Sequence, residues 1–406
     1  MCSEHSQSWI QTHYKSFDGL RGLAILMVFC CHYGAFFLPQ FIARQFWCGV
    51  DLFFVLSGFL ITGILYDSRT RPDYFRSFYT RRSLRIFPLY FGLFAVLLLL
   101  RHHLVYDRYV WLHLVYLANF AWIKVASHNF TVVGFRGYAH MHLWLGALWS
   151  LCVEEQFYLV WPLLLWRLGS RRAMMQLCVV AIAATLLLRT VLFAIKPHLA
   201  METHYLYFAT YSHGDGLFVG SWMALWLRGT KLTRHQVRQF GVRAIAGSFA
   251  IVLTGILIVG LRWPLNEANP VFSTIGYTCV AVAAGGLLLL ALDDTHWISA
   301  VLRFGQLAAL GEVSYGFYVF HGLVAPEFQV LGARLPGRHV DPLIGVLAFV
   351  MIYACSRASY RWFEKPFIGL KDVLAPKQPG HRALTNLVPQ LSSREASILQ
   401  AGPTDT

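Results

Sequence analysis

Charged residues are scarce in this 406-residue chain, at 13% of the sequence, about half the share found in an ordinary soluble domain. With 57% hydrophobic and 16% aromatic residues and many long apolar runs, that scarcity excludes a large soluble core. It predicts an all-α, polytopic integral membrane protein instead. Acidic residues are scarcest, 20 against 34 Lys and Arg, leaving a formal net charge of +14. The surplus does not read as a nucleic-acid footprint, because the basic residues gather in short loops between apolar segments, as membrane topology demands. Paired cysteines are also missing. Cys2, Cys30, Cys31, Cys48, Cys152, Cys178, Cys279 and Cys355 are scattered with no CxxC among them, which excludes a disulfide framework or a zinc site and predicts no metal. No internal repeat is visible, so one common mark of secondary transporters is absent. The first 15 residues are polar and no small-residue cleavage site follows the first apolar segment, so no cleavable signal peptide is expected.

Ten stretches have the length and apolarity of a membrane span: 17–38, 47–66, 84–100, 146–166, 173–195, 210–227, 244–261, 271–292, 304–325 and 343–363. An eleventh, VWLHLVYLANFAWI at 110–123, is short and carries His113 and Asn119. Arginines arbitrate between the two counts. The loops 67–83 and 228–243 are strongly basic and belong in the cytoplasm; if 110–123 spanned, the loop RLGSRR at 167–172 would fall outside, against the rule. With 110–123 lying in the interface or re-entering, every strongly basic loop lands inside. The expectation is therefore about ten transmembrane helices with both termini cytoplasmic, in the inner or plasma membrane. Residues 1–15 form a cytoplasmic segment, and 16–368 the transmembrane domain. Residues 369–406 form a cytoplasmic tail whose polar composition predicts disorder.

Against that apolar background three stretches stand out. In SFDGLRGLAILMVFCCH, Arg21 and His32 are eleven residues apart, which on a helix brings them within about 20° of one another and roughly 16 Å apart along the axis. Asp18 joins the same face. A membrane histidine often only hydrogen-bonds between helices; an aligned Asp, Arg and His instead suggests a functional path, since intramembrane ionisable groups are costly. In SFYTRRSLRIFPLY, Arg82 and Arg85 share a face at i, i+3 where the third helix is expected to begin. They serve either as cytoplasmic anchors or as a fork for a phosphate-rich ligand. In LWSLCVEEQFYLVWP, Glu154 and Tyr158 share a face, and the carboxylate is either half of a structural ion pair or part of a reactive site. Asp51, Asp215 and His321 are weaker candidates, equally suited to gluing helices together; Asp51, near the outer end of its span, is expected to snorkel to water.

Together these stretches resemble the acyltransferase-3 family of integral-membrane acyltransferases. The resemblance runs through FDGLRGLAILMVFCCH, GVDLFFVLSGFLITGIL, FYTRRSLRIFPLY, SLCVEEQFYLVWP, GEVSYGFYVFH and RWFEKPF, about residues 16 to 368. Phe17 stands where leucine is usual before DGLRG, a harmless apolar change. The 406 residues include no stretch resembling the extracytoplasmic hydrolase-like domain that some members carry, so the expectation is that the reaction is finished by this domain alone or with a separate partner. The family implies ten transmembrane helices and acyl transfer from cytoplasmic acyl-CoA, acetyl-CoA by default, to a hydroxyl of a carbohydrate or glycoconjugate. Its Arg-x10-His pair falls on Arg21 and His32, its RxxR pair on Arg82 and Arg85, and its SLxxE glutamate on Glu154. On that reading His32 is base or transient acyl carrier, oriented by Glu154. Arg82 and Arg85 hold the donor's phosphates, and Arg21 lines the path of its pantetheine arm. A glycosylated small molecule (a macrolide or lipo-oligosaccharide) is an alternative acceptor. A proton-coupled transporter without acyl chemistry is an alternative reading of the same residues. Trp111, Tyr116, Trp122, Tyr138 and Trp144 suit sugar stacking or an ordinary interfacial belt.

Overall fold

Hydrocarbon offers no water to a peptide group, so a membrane-spanning chain must bond its own backbone, and this one does so entirely through helices. A computed structural model describes residues 14–100, 108–120, 145–198, 200, 205–230, 232–259, 262–263, 265, 268–335 and 340–375. Among these no strand occurs. The helices are α1 (Lys15–Tyr33), α2 (Gly49–Ser68), α3 (Tyr74–Leu100), the short α4 (Arg108–Leu114), α5 (Trp149–Leu168) and α6 (Arg171–Ile195). There follow α7 (Asp215–Leu227), α8 (Arg234–Ile258), α9 (Tyr277–Ala291), α10 (Trp297–Leu302), α11 (Gly305–Glu312), α12 (Ser314–Arg334) and α13 (Val340–Ser359).

Seven of the helical segments are long and apolar enough to cross a membrane, and eight if the bent pair α11–α12 counts as one span. The chain is thus an all-α, multi-pass membrane protein. Two of the ten expected spans differ for clear reasons. Stretch 146–166 does form the 20-residue α5, but its two glutamates lower its hydropathy. Stretch 210–227 is divided into Thr210–His213 and the 13-residue α7. Helix α3 begins at Tyr74, so Arg76, Arg81, Arg82 and Arg85 all lie within it rather than before or at its start. The apolar run from 110 breaks after Leu114, with Tyr116 at φ 55, so residues 110–120 are not one continuous helix. Gln156 on α5 anchors that turn, donating to the Tyr116 carbonyl at 2.7 Å and to Asn119 at 2.9 Å. Of the predicted tail, residues 371–374 make a further helical turn beside Arg81, which bonds the Ala375 carbonyl; 376–406 lie outside the described residues.

Lateral position follows composition. The central span containing α2 is 72% buried, whereas only 11% of α8 is, and α8 presents Phe249, Leu257 and Ile258 outward as a lipid-facing helix should. Helices approach one another where side chains are missing. A Cβ on Gly58 of α2 would lie 2.0 Å from the Leu217 carbonyl of α7, and one on Gly220 of α7 2.0 Å from that of Val55. Likewise the glycines of DGLRG seat α1: Cβ atoms on Gly19 and Gly22 would meet the carbonyls of Leu302 and Leu307 at 1.7 and 2.0 Å. This is the small-residue packing that substitutes for a hydrophobic force between membrane helices. A directed chain of hydrogen bonds crosses the centre: the Trp161 indole donates to Thr62 and Thr62 to Ser221, both at 2.7 Å, joining α5, α2 and α7.

The second tie is ionic. Arg189 of α6 and Asp215 of α7 pair at 3.2 Å with no exposure on either side chain. Every nitrogen of the guanidinium is used: Nε donates to the Thr274 carbonyl, Nη1 to that of Ser212 and Nη2 to Thr278, each at 2.7 Å. Beside it Asp51 meets Nε2 of His213 at 2.8 Å, and Nδ1 of that ring donates to the Tyr207 carbonyl at 2.7 Å. Asp51 is fully buried and does not reach water, because His213 meets its carboxylate inside the bundle. His213 escaped the sequence reading, although YSHGDG places it two residues before Asp215 in an apolar stretch.

Two outcomes follow from this packing. Gly58→Leu should force α2 from α7 and lower the thermal midpoint measured in nanodiscs, by an overpacking cost of about 1–3 kcal/mol. Gly247→Ala on α8, where a Cβ meets nothing within 4 Å, should leave the midpoint unchanged. Arg189→Met should cost on the order of 3–5 kcal/mol by stranding Asp215, and the double variant Arg189→Met/Asp215→Leu should recover part of it. Equal midpoints for the single and double variants would refute the ionic account.

Candidate active site

Helix α1 is unbroken from Lys15 to Tyr33, so the spacing arithmetic for Arg21 and His32 applies as written. Near its start Asp18 accepts from Arg21 at 2.7 Å, both side chains being about three-quarters buried. This pair is local, within one turn, and leaves the remaining donors of Arg21 available.

Arg21 does not stand alone: it feels the charge of Arg82 on α3, and Arg85, one turn further along α3, feels both. Three guanidinium groups from two helices therefore converge. Their partners differ in kind. Arg82 lies over the Tyr158 ring at 3.9 Å, bonds its hydroxyl, and sits 3.9 Å from the Glu154 carboxylate. Tyr158 in turn donates to Glu154 at 2.9 Å and is bonded to Ser57 of α2. Glu154 and Tyr158 thus share a face of α5, as their spacing predicts, and are joined to α2 and α3. Arg85 has no hydrogen bond or ion pair among the described residues, and its side chain is accessible although Arg21, Arg82, Tyr360 and Glu364 act on it from several elements. A guanidinium that is ringed by protein yet open is placed to take an external anion.

Adjacent positions on α5 diverge by about 100°. Glu154 faces Arg82, while Glu155 lies toward Tyr90, Tyr116 and Tyr315, with its Oε1 buried and without a partner. Tyr116 stacks on Tyr90 at 4.6 Å rather than facing outward, which makes it a packing residue. Trp111 is 49% exposed, and Trp122, Tyr138 and Trp144 lie outside the described residues.

At the far end of α1, the His32 ring bonds the Val28 backbone one turn back and stacks on His321 of α12 at 5.1 Å, while Glu154 is met by Tyr158, Ser57 and Arg82. The 72° bend at Val313, between α11 and α12, lets α11 press Gly311 against α1 while α12 carries Tyr315, Tyr318 and His321 through the bundle. Glu364, from RWFEKPF, is buried and accepts from Ser359 at 2.9 Å, close to Gly316 at the start of α12. Ser57, Tyr318 and Glu364 were not singled out from the sequence. Ser57 and Tyr318 are unremarkable types in apolar helices, and Glu364 lay inside a quoted motif without a role. Asp51 and Asp215 belong to the separate Arg189–His213 network. Among the described residues no group of three or more His, Cys, Asp or Glu is placed to hold a metal.

Comparison with known proteins follows the same helices. A family model for an acyltransferase domain, acyltransferase 3, matches residues 14–361. The chain is similar to the O-acetyltransferase OatA of Staphylococcus aureus, 25% identical over 394 residues that cover 91% of this chain and 60% of that protein. It is also similar to the peptidoglycan O-acetyltransferase OatA of Listeria monocytogenes, 26% identical over 386 residues, 89% of this chain and 58% of that protein. It spans about 60% of the length of these curated relatives. No solved structure matches. Because the family match begins at the first turn before α1 and runs through α13, taking in all three arginines, both glutamates of α5 and both stacked histidines, the chain belongs to the acyltransferase 3 family.

Proposed function

We propose that this protein is a membrane O-acyltransferase that moves an acetyl group from cytoplasmic acetyl-CoA to a hydroxyl of a cell-surface glycan. The named activity of its relatives makes peptidoglycan the first acceptor to try. The observation that carries the reading is Arg85, an accessible guanidinium with no hydrogen bond or ion pair among the described residues, within electrostatic reach of Arg21 and Arg82. A pathway for protons alone has no use for three converging arginines, whereas coenzyme A brings a nucleotide with several phosphates to a mouth that would face the cytoplasm, where basic residues favour placement.

In this mechanism Arg85 and Arg82 take the donor's phosphates, and Arg21 lines the path along which the pantetheine arm reaches His32. The acceptor hydroxyl attacks the thioester carbonyl; His32 receives its proton as the new C–O bond forms, and the C–S bond breaks. The departing thiolate recovers that proton, so His32 ends as it began. If His32 carries the acyl group, the same bonds change in two steps, the first on the imidazole. Glu154 acts in this scheme by holding Arg82 and Tyr158 in place, and it orients His32 only if substrate closes the gap between them. Both termini are cytoplasmic.

The test is release of free coenzyme A from acetyl-CoA by protein in nanodiscs, with muropeptides and simpler sugars as acceptors. His32→Ala should lose about 10²–10⁴-fold in rate with acetyl-CoA binding retained, the range for a missing general base. Arg85→Ala should weaken acetyl-CoA binding by roughly 10- to 100-fold, the worth of a charge-assisted contact, with smaller effects on turnover of bound donor. Tyr158→Phe should also lower donor affinity, because it removes the hydroxyl that bonds both Arg82 and Glu154 and holds the guanidinium in place. Wild-type protein that neither binds nor cleaves acetyl-CoA or longer acyl-CoAs would sink the proposal.

A further inference from the structure

His32 and His321 come from opposite ends of the chain, and their rings stack with centroids 5.1 Å apart and planes inclined by 26°. The two are held very differently. His321 is fully buried and fastened from several sides. Its Nδ1–H donates to the Tyr318 carbonyl one turn back at 2.5 Å, which fixes the tautomer and leaves Nε2 as the acceptor nitrogen. Its own carbonyl accepts from the Tyr33 hydroxyl at 2.5 Å, and Tyr33 is the residue next to His32. The Tyr318 ring packs at 5.1 Å from the imidazole and is itself clamped, donating to the Ala147 carbonyl at 2.5 Å and bonded to Ser150 at 2.6 Å, at the entry to α5. So α1, α5 and α12 jointly hold one imidazole still. His32 keeps part of its surface accessible; its ring bonds the Val28 backbone, and the titratable side chain that acts on it is His321.

We propose that His321 is the positioning residue for acyl transfer: a carbonyl-anchored ring that stacks on His32 and helps to fix its orientation. This rests on the reading of His32 as the group that accepts the acceptor's proton. A stacked pair of imidazoles out of water cannot hold two positive charges, so only one ring takes a proton. The bond from Nδ1–H to the Tyr318 carbonyl fixes the tautomer and orientation of His321, and the partly accessible His32 is the ring that an acceptor hydroxyl can reach. The step balances without His321 changing: the hydroxyl proton moves to His32 as C–O forms and C–S breaks, then passes to the thiolate of coenzyme A. In the usual hydrolase triad a carboxylate orients the base; here a second histidine occupies that place, and Glu154 is spent on Arg82 and Tyr158.

Turnover and acetyl-CoA KM should be measured in nanodiscs for wild type, His321→Phe, His321→Asn and Tyr33→Phe, each alongside its thermal midpoint. Phe keeps a ring but cannot bond Tyr318, and Asn keeps a donor but cannot stack. Each is expected to lower kcat on the order of 10- to 100-fold, the usual effect of misplacing a reacting group, with KM within about twofold of wild type. Tyr33→Phe leaves both histidines and their volumes in place, so it folds if any variant does; it should lower kcat several-fold by releasing the His321 backbone. A kcat equal to wild type in His321→Phe would overturn the proposal, as would KM and thermal midpoint moving together with kcat in all three variants. Wild type that releases no coenzyme A would instead overturn the acyltransferase reading itself.

Discussion

A guanidinium or carboxylate taken into an apolar bundle gives up its hydration, and it is tolerated only where another charge or a set of hydrogen bonds stands in for the lost water. Most of the order in this protein follows from how that requirement is met. Arg189 meets it completely. Its three nitrogens are distributed over two carbonyls, a hydroxyl and the Asp215 carboxylate, and neither side chain of the ion pair is exposed. Such a group has nothing left to offer a ligand, and its consequence is architectural: α6, α7 and the turn before α9 are fixed relative to one another.

The arginines of α1 and α3 meet the same requirement unevenly. Arg21 has Asp18, Arg82 has Tyr158 and Glu154, and Arg85 has only neighbours that act at a distance. A graded series of that sort, from saturated to open, is what separates a binding site from a tie. The same contrast recurs on α5, where Glu154 is paired and the adjacent Glu155 keeps a buried, partnerless oxygen. It recurs again in the histidines, one clamped and fully buried, the other partly accessible. In each case the saturated member ties one helix to another, while its neighbour keeps polar atoms that the bundle does not fully occupy.

Glycine supplies the geometry that charge requires. Because Gly19, Gly22 and Gly311 let carbonyls approach where a Cβ would collide, α1 lies directly against α10 and α11, and the DGLRG motif serves packing as much as charge. The bend between α11 and α12 then turns the chain so that His321 arrives opposite His32. No sequence periodicity announces such a bend: 304–325 reads as one apolar span, no proline stands at the break at Val313, and Gly311 just before it packs against the Asp18 carbonyl of α1.

What local chemistry dictates was legible in the residues alone. The all-α membrane class, the shared face of Asp18, Arg21 and His32, the pairing of Glu154 with Tyr158, and the break within 110–120 all follow from composition, helical period and the placement of arginine, which act over a few residues. What depends on approach between distant segments was decided by the tertiary structure. Asp51 was expected to reach water and is instead met by His213, 162 residues away in the chain. The third helix was expected to begin at Arg82 and starts about two turns earlier at Tyr74, where the Tyr74 and Tyr79 hydroxyls bond the Pro162 and Leu159 carbonyls of α5. Glu154 pairs with Arg82, and His321 rather than an acid lies on His32. The physical reason is the same throughout: helical period fixes which side chains share a face, but which face of another helix they meet is set by packing between elements that the sequence keeps far apart.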